Sequence, residues 1–189
     1  MWGLAIKHGF TFKDAVILEP SVGIGRFLKY IPASEIDTLT TFEVDDTAWI
    51  ICNLLYPFGS HVLESFESIF FKGKRHIGVA GIEKFYDLVI GNPPYREYVS
   101  KYAPLGEKKA TDAHTFDQYF IMRGIDVLKP GGLLIYIIPS SFMFNKVKYN
   151  AFKEKLAKKA ELLEAYRLPS GVFGATEVTT DIIVLKKKA

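Results

Sequence analysis

Short runs that are apolar at nearly every position recur along this chain, and glycine or proline borders each one. Ala15–Glu19 (AVILE) is stopped by Pro20 and the glycines at 23 and 25. Tyr86–Ile90 (YDLVI) runs into Gly91, Pro93 and Pro94, and Leu133–Ile138 emerges from Lys129-Pro130-Gly131-Gly132. A strand with one wet face alternates apolar and polar residues, whereas an unbroken apolar run fits a strand covered on both faces, as in a parallel sheet between helices. The rest of the pattern fills in the crossovers. Leu39–Val44 reads as a second strand, Ala48–Leu55 as a helix closed before Pro57, and His61–Glu64 as a third strand. Phe116–Leu128 has helical spacing, and Tyr149–Leu163 is a lysine-rich amphipathic helix. Glu164–Arg167 and Asp181–Leu185 complete seven strands. Right-handed crossovers then predict an α/β, doubly wound, mostly parallel sheet of order 3-2-1-4-5-7-6 with the last strand antiparallel.

Composition narrows the chemistry. The 189 residues, 49 % hydrophobic and 24 % charged, suit one domain with a substantial core. No apolar run approaches the ~18 residues that a membrane span requires. Cys52 is the only cysteine, which excludes an internal disulfide and a cysteine-rich zinc site, and the four histidines lack metal-ligand spacing. A net charge of +3 decides nothing about partners. No leader pattern stands out, so a reduced, cytoplasmic protein is expected. The chain opens within a helix-like stretch, Trp2–His8, and stops at Lys186-Lys187-Lys188-Ala189 directly after a strand. The expectation is a single domain over 1–189, cut from a longer polypeptide.

Three strand ends carry candidate chemistry. The first reads Glu19-Pro20-Ser21-Val22-Gly23-Ile24-Gly25, a loop whose glycines let backbone approach a ligand and whose following helix would offer free N–H groups. It departs from G-x-G-x-x-G, because Leu28 stands at the third glycine position. An ordinary strand-to-helix turn would look similar. Glu43 follows twenty residues after Gly23 at the end of the second strand, where a carboxylate can accept both hydroxyls of an adenosine ribose. Asp45 and Asp46 beside it leave open a merely solvated acid. The fourth strand ends in Asn92-Pro93-Pro94-Tyr95. Two prolines stiffen the turn and supply no N–H, so its carbonyls can face a ligand. Asn92 adds an acceptor and Tyr95 a ring, an array suited to a planar group with an exocyclic amine. Ligands of open parallel sheets bind at such carboxyl ends.

EPSVGIGRF, FEVDD, NPPY and KPGGLLIYIIPSSFM, in that order, resemble the S-adenosylmethionine-dependent DNA adenine-N6 methyltransferases. The tail LPSGVFGATEVTTDIIVL is similar to the closing hairpin of their catalytic domain, and the whole most resembles the methylase part of helicase–methylase polypeptides. The resemblance implies a Rossmann-like class I methyltransferase fold, S-adenosylmethionine as cofactor, and DNA as partner beside target-recognition and helicase regions. It implies that Glu19, Ser21 and the Gly23–Gly25 loop hold the methionine end of the cofactor, Glu43 its ribose and Phe66 its adenine. The acid for the adenine's amine usually precedes that phenylalanine. Ser65 stands there, so the role passes to Glu67, with Glu64 equally near. Asn92 and the Pro93 carbonyl would accept the target amine's hydrogens, and Tyr95 would stack on the flipped base. Lys72, Lys74, Arg75, Lys101, Lys108, Lys109, Lys146 and Lys148 are rim cations that could meet phosphates, and each could equally be a solvated lysine or arginine. Arg96–Thr115 reads as a polar loop, either facing DNA or plain surface. Two departures bear on activity: only Trp2–Phe10 could stand for the family's N-terminal cofactor segment, and no target-recognition domain follows Lys188. A protein-glutamine methyltransferase, an RNA guanine-N2 methyltransferase, a nicotinamide oxidoreductase and a cofactor-binding module without turnover are the rival readings.

Overall fold

The computed structural model describes residues 1–143, 147–169 and 179–189. Its main sheet contains β1 (Val16–Glu19), β2 (Thr38–Glu43), β3 (Ser60–Leu63), β4 (Tyr86–Gly91), β5 (Leu128–Pro139), β6 (Ala160–Arg167) and β7 (Thr180–Lys187). The order is β3-β2-β1-β4-β5-β7-β6, with β7 antiparallel to both neighbours and the other pairs parallel. This is the order read from the sequence. Side chains of the central strands alternate between two apolar layers. Val16, Leu18, Val89, Leu134 and Tyr136 enter one, and Ile17, Leu88, Ile90, Leu133 and Ile135 the other. Both faces are therefore covered, which is why these strands show no polar alternation.

The helices are α1 (Trp2–Lys7), α2 (Asp46–Leu55), α3 (Glu107–Thr111), α4 (Phe116–Val127) and α5 (Val147–Lys159). Asp45 caps α2 by accepting from the Ala48 N–H at 2.8 Å. Several boundaries differ from the sequence reading. Residues 160–163 extend β6 rather than α5, because Ala160 and Leu162 pair with Lys187 and Leu185 of β7. Lys129–Gly132 lie inside β5 as an irregularity in its pairing with β4, with Gly131 at φ +79°. No α-helix follows the glycine loop. The N–H groups of Gly25, Leu28 and Ile31 each bond three residues back, and Pro32 prevents continuation. The turn of the closing hairpin, 170–178, and Lys146 lie outside the described residues, as does the side chain of Lys148.

Arg96–Thr115 is not a bland loop. Tyr98 N–H bonds His114 O at 2.9 Å, Phe116 N–H bonds Arg96 O at 2.9 Å, and the Tyr98 ring stacks on Tyr119 at 4.5 Å. Between these ties, α3 drives Glu107 into the interior, where none of it is exposed. There the Arg123 guanidinium grips both carboxylate oxygens at 2.8 and 2.6 Å, Tyr119 donates at 2.7 Å, and His76 Nε2 stands 2.6 Å away. Arg123 also reaches Asp126 at 3.1 Å and lies 4.2 Å from the Phe70 ring centre. The His76 contact ties in a small antiparallel ribbon, Phe71–Lys72 with Arg75–His76. α4 is buried along its whole length; this ion cluster accommodates its Arg123 and Asp126, and Gln118 serves the capping box with Thr115. Removing one member should therefore leave a buried, uncompensated charge. Arg123→Met is expected to cost about 3–5 kcal/mol in urea denaturation, and pairing it with Glu107→Leu should restore much of that loss.

Candidate functional site

β2, β1 and β4 are neighbours in the sheet, so the three turns at their carboxyl ends meet. A cleft of about 500 Å³ opens there, lined by Pro20, Ser21, Glu43, Glu64, Phe66 and Glu67 and walled by Pro94, Arg96 and Val99–Lys101. Four sequence-derived candidates, Ser21, Glu43, Phe66 and Glu67, thus share one cavity. Glu19 directly precedes the lining residues Pro20 and Ser21. Asn92, Pro93 and Tyr95 stand beside the cleft rather than in its wall, joined to it where Ser21 Oγ donates to Asn92 O at 3.3 Å.

The glycine loop is fixed by Glu43. Gly23, at φ +55°, donates its N–H to Glu43 Oε2 at 2.8 Å, while Oε1 accepts from Val44 and Asp45 N–H at 2.7 and 2.8 Å. Gly25, at φ +81°, has no room for a side chain, because a Cβ would come within 2.5 Å of the Tyr56 ring. Spacing alone indicated a ligand role for Glu43. Its grip on the loop across twenty residues is visible only once β1 and β2 are paired.

The acids of the site differ in environment. Glu19 is buried, its Oε2 has no hydrogen-bond partner among the described residues, and burial, followed by the nearby Glu43 charge, holds its carboxyl well above the ordinary range. Glu67 is equally buried, and its Oε1 also lacks a partner. Glu64 is already engaged: Oε1 accepts from Ser65 N–H at 2.9 Å, and Oε2 pairs with Lys101 at 2.9 Å. Phe66 borders the cleft but is packed among Phe42, Phe70, Tyr119 and Phe120, with ring centres 5.5–6.3 Å away. It belongs to the aromatic core as much as to the site.

At the proline turn, Asn92 Oδ1 accepts from the Tyr95 hydroxyl, which also stands 3.2 Å from Ile137 O. One hydroxyl proton serves one acceptor at a time. Burial, with Asp117 nearby, pushes the Tyr95 phenol upward, so it keeps that proton at neutral pH. The site therefore offers an amide acceptor already satisfied from within, beside two buried carboxyl oxygens that are not. Donors of the amine or ammonium type suit those two oxygens. The segment Arg96–Thr115, which the sequence left open between a DNA-facing loop and plain surface, supplies Arg96 and Val99–Lys101 to the cleft wall. Its signal was Tyr98 and Tyr102, large aromatic residues in an otherwise polar stretch.

Because Glu43 holds the loop, Glu43→Ala should loosen it even without ligand. Hydrogen exchange should accelerate across 21–26, and denaturation should register a loss of about 1–3 kcal/mol, the scale of charge-assisted hydrogen bonds.

Comparison with known proteins places this geometry in a lineage. Residues 39–173 match the Eco57I restriction-modification methylase family. The chain is 30 % identical over 174 residues to Defense against restriction protein B of Escherichia phage P1, covering 90 % of this chain and 7 % of that protein. It is 31 % identical over 156 residues to the type II methyltransferase M.HincII of Haemophilus influenzae, covering 77 % and 26 %. This chain thus spans a small part of each relative. Among solved structures, the type I restriction-modification system methyltransferase subunit from Streptococcus thermophilus superposes with a TM-score of 0.74 at 16 % identity, over 98 % of this chain and 42 % of that one. The sheet and its order are those of the class I methyltransferase fold. The chain belongs to the Eco57I restriction-modification methylase family.

Proposed function

We propose that this chain transfers a methyl group from S-adenosylmethionine to the N6 amine of a flipped-out adenine in DNA, as the methyltransferase domain of a longer restriction-modification polypeptide. The observation that carries this reading is the pair of unpartnered buried oxygens, Glu19 Oε2 and Glu67 Oε1, flanking a cleft that Glu43 lines. Glu19 suits the ammonium of an amino-acid moiety, Glu67 suits an exocyclic adenine amine, and the remaining lone pairs of Glu43 suit ribose hydroxyls. Ser21, which lines the cleft, and the Gly23–Gly25 loop keep the role at the methionine end that the family resemblance implies. Phe66 contributes an edge to the adenine pocket. Glu67 is preferred over Glu64, whose two oxygens are already occupied.

S-adenosylmethionine supplies an electrophilic methyl group on a sulfonium, so no metal or covalent enzyme intermediate is required by the chemistry. The chain's task is positioning and electrostatic stabilisation. The amine lone pair of adenine is delocalised into the ring. Asn92 Oδ1 and the Pro93 carbonyl would accept its two hydrogens, favour a tetrahedral nitrogen and return electron density to the attacking lobe. Tyr95 would release Asn92 and place its ring against the base, offsetting the stacking lost on flipping.

A labelled-methyl assay offering DNA, RNA and a glutamine-bearing peptide tests the substrate class, and transfer to RNA or peptide alone would overturn the reading. Asn92→Ala should lower kcat by about 10²-fold with little change in cofactor affinity, and a near-normal rate would make the turn merely structural. The buried Glu19 gives a second test. Its carboxyl is raised in the free protein, and an ammonium ligand requires the carboxylate, so binding should release a proton. Cofactor affinity should therefore rise with pH up to the raised pKa, by as much as about tenfold per pH unit, and then level off. Calorimetry of Glu19→Gln should show a flat profile.

A further inference from the structure

Next to the cleft stand five exposed cations that have no anionic partner among the described residues. Lys72, Lys74 and Arg75 sit on the small ribbon, and Lys108 and Lys109 on α3. Elsewhere Lys84, Lys129, Lys155 and Lys159 pair with Asp37, Asp87, Asp112 and Asp126, and the lysines without an acidic partner among the described residues, such as Lys13, Lys29, Lys158 and Lys186, stand on separate elements. The imbalance has a structural origin. The ribbon contains no acid, and the one acid of α3, Glu107, is turned inward and shared among Arg123, Tyr119 and His76. Each element thus turns its polar group inward, Glu107 fully and His76 partly buried, and leaves its cations outside.

The two elements are also locked together. His76 Nε2 lies 2.6 Å from Glu107, and the Phe71 ring lies 4.7 Å from that of Tyr102. Tyr102 adjoins Lys101, a residue of the cleft wall, and Phe71 follows Glu67 by four positions. Buried ion clusters contribute little net stability relative to apolar packing. What this one does is hold the two elements that carry the five like charges against each other, so that a polyanion would relieve their mutual repulsion.

Resting on the reading as a DNA methyltransferase, we infer that the ribbon and α3 form a clamp for the phosphodiester backbone of duplex DNA beside the target base. The cations are spread over two elements, so an extended chain of phosphates is engaged rather than one anion. Such contacts position the duplex without reading its sequence.

Fluorescence anisotropy of the 189-residue chain with a duplex oligonucleotide, over a series of salt concentrations, tests the clamp. Each phosphate neutralised contributes about −0.9 to the slope of log K against log salt. Lys72→Gln/Lys74→Gln/Arg75→Gln should reduce the slope's magnitude by about two to three, and Lys108→Gln/Lys109→Gln by about one to two, irrespective of sequence. Lys13→Gln/Lys186→Gln, in the polar hollow lined by His8, Asp87 and Lys129, should leave the slope unchanged. These are surface changes, and thermal melts should match the parent protein. If the parent chain transfers methyl groups to DNA and the ribbon variant keeps the parent slope, the clamp is wrong and the function stands. If the parent chain binds no duplex at any salt and transfers no methyl group, both are wrong. Preference for duplex RNA over DNA would overturn the choice of partner.

Discussion

The site depends on the burial of β1. This strand is only four residues long, is covered on both faces and is hydrogen-bonded to β2 on one edge and β4 on the other. Its short length means that Glu19, the last strand residue, is already interior while the next residues line the cleft. Its central position means that the turns after β1, β2 and β4 cannot separate without breaking the sheet. The Gly23–Glu43 and Ser21–Asn92 hydrogen bonds then tie the three turns to one another. Loops that would otherwise be mobile gain the rigidity of the sheet.

The electrostatics of the site follow from the same burial. A carboxyl at the end of a two-sided strand loses water without gaining a partner, and Glu19 shows this most clearly. Cys52, packed in the same layer and facing Glu19 and Glu43, has its thiol pushed up to about 11 by burial and by those two acids. The only cysteine of the chain is therefore an inert packing group. Glu64, on the exposed rim, found a lysine, while Glu67 went inward without one. Such acids are the groups that the proposed ligand would satisfy.

Much of this was legible in the sequence because it is local or follows from strand order. The apolar runs and their glycine and proline stops identify the strands, and topology rules then order them correctly. The Glu43 spacing and the NPPY turn indicated the crevice. What was not legible depends on contacts between distant segments. Nothing local to Glu107 or Arg123 announces that a glutamate in a Lys-rich stretch will be fully buried against an arginine sixteen residues later. The short turn in place of a helix after Gly25 depends on Pro32 and on packing around Tyr56. Phe66 and Glu67 entered through the family resemblance, and only the folded chain shows that Glu64, not Glu67, pairs with Lys101.

The Tyr95–Asn92 hydrogen bond has a consequence for discrimination. Because the amide oxygen is already bonded to a hydroxyl, a base entering as proposed would not have to strip water from it; one donor would be exchanged for another at that oxygen. That exchange is balanced only for a ring bearing hydrogens at the matching position. A ring presenting a carbonyl there would set acceptor against acceptor unless the Asn92 amide turned to present its NH2 group, which would break its bond with the Tyr95 hydroxyl. On the proposed reading, selectivity between an amino and a keto base would rest on Asn92 and Tyr95 together, because the hydroxyl fixes the orientation of the amide.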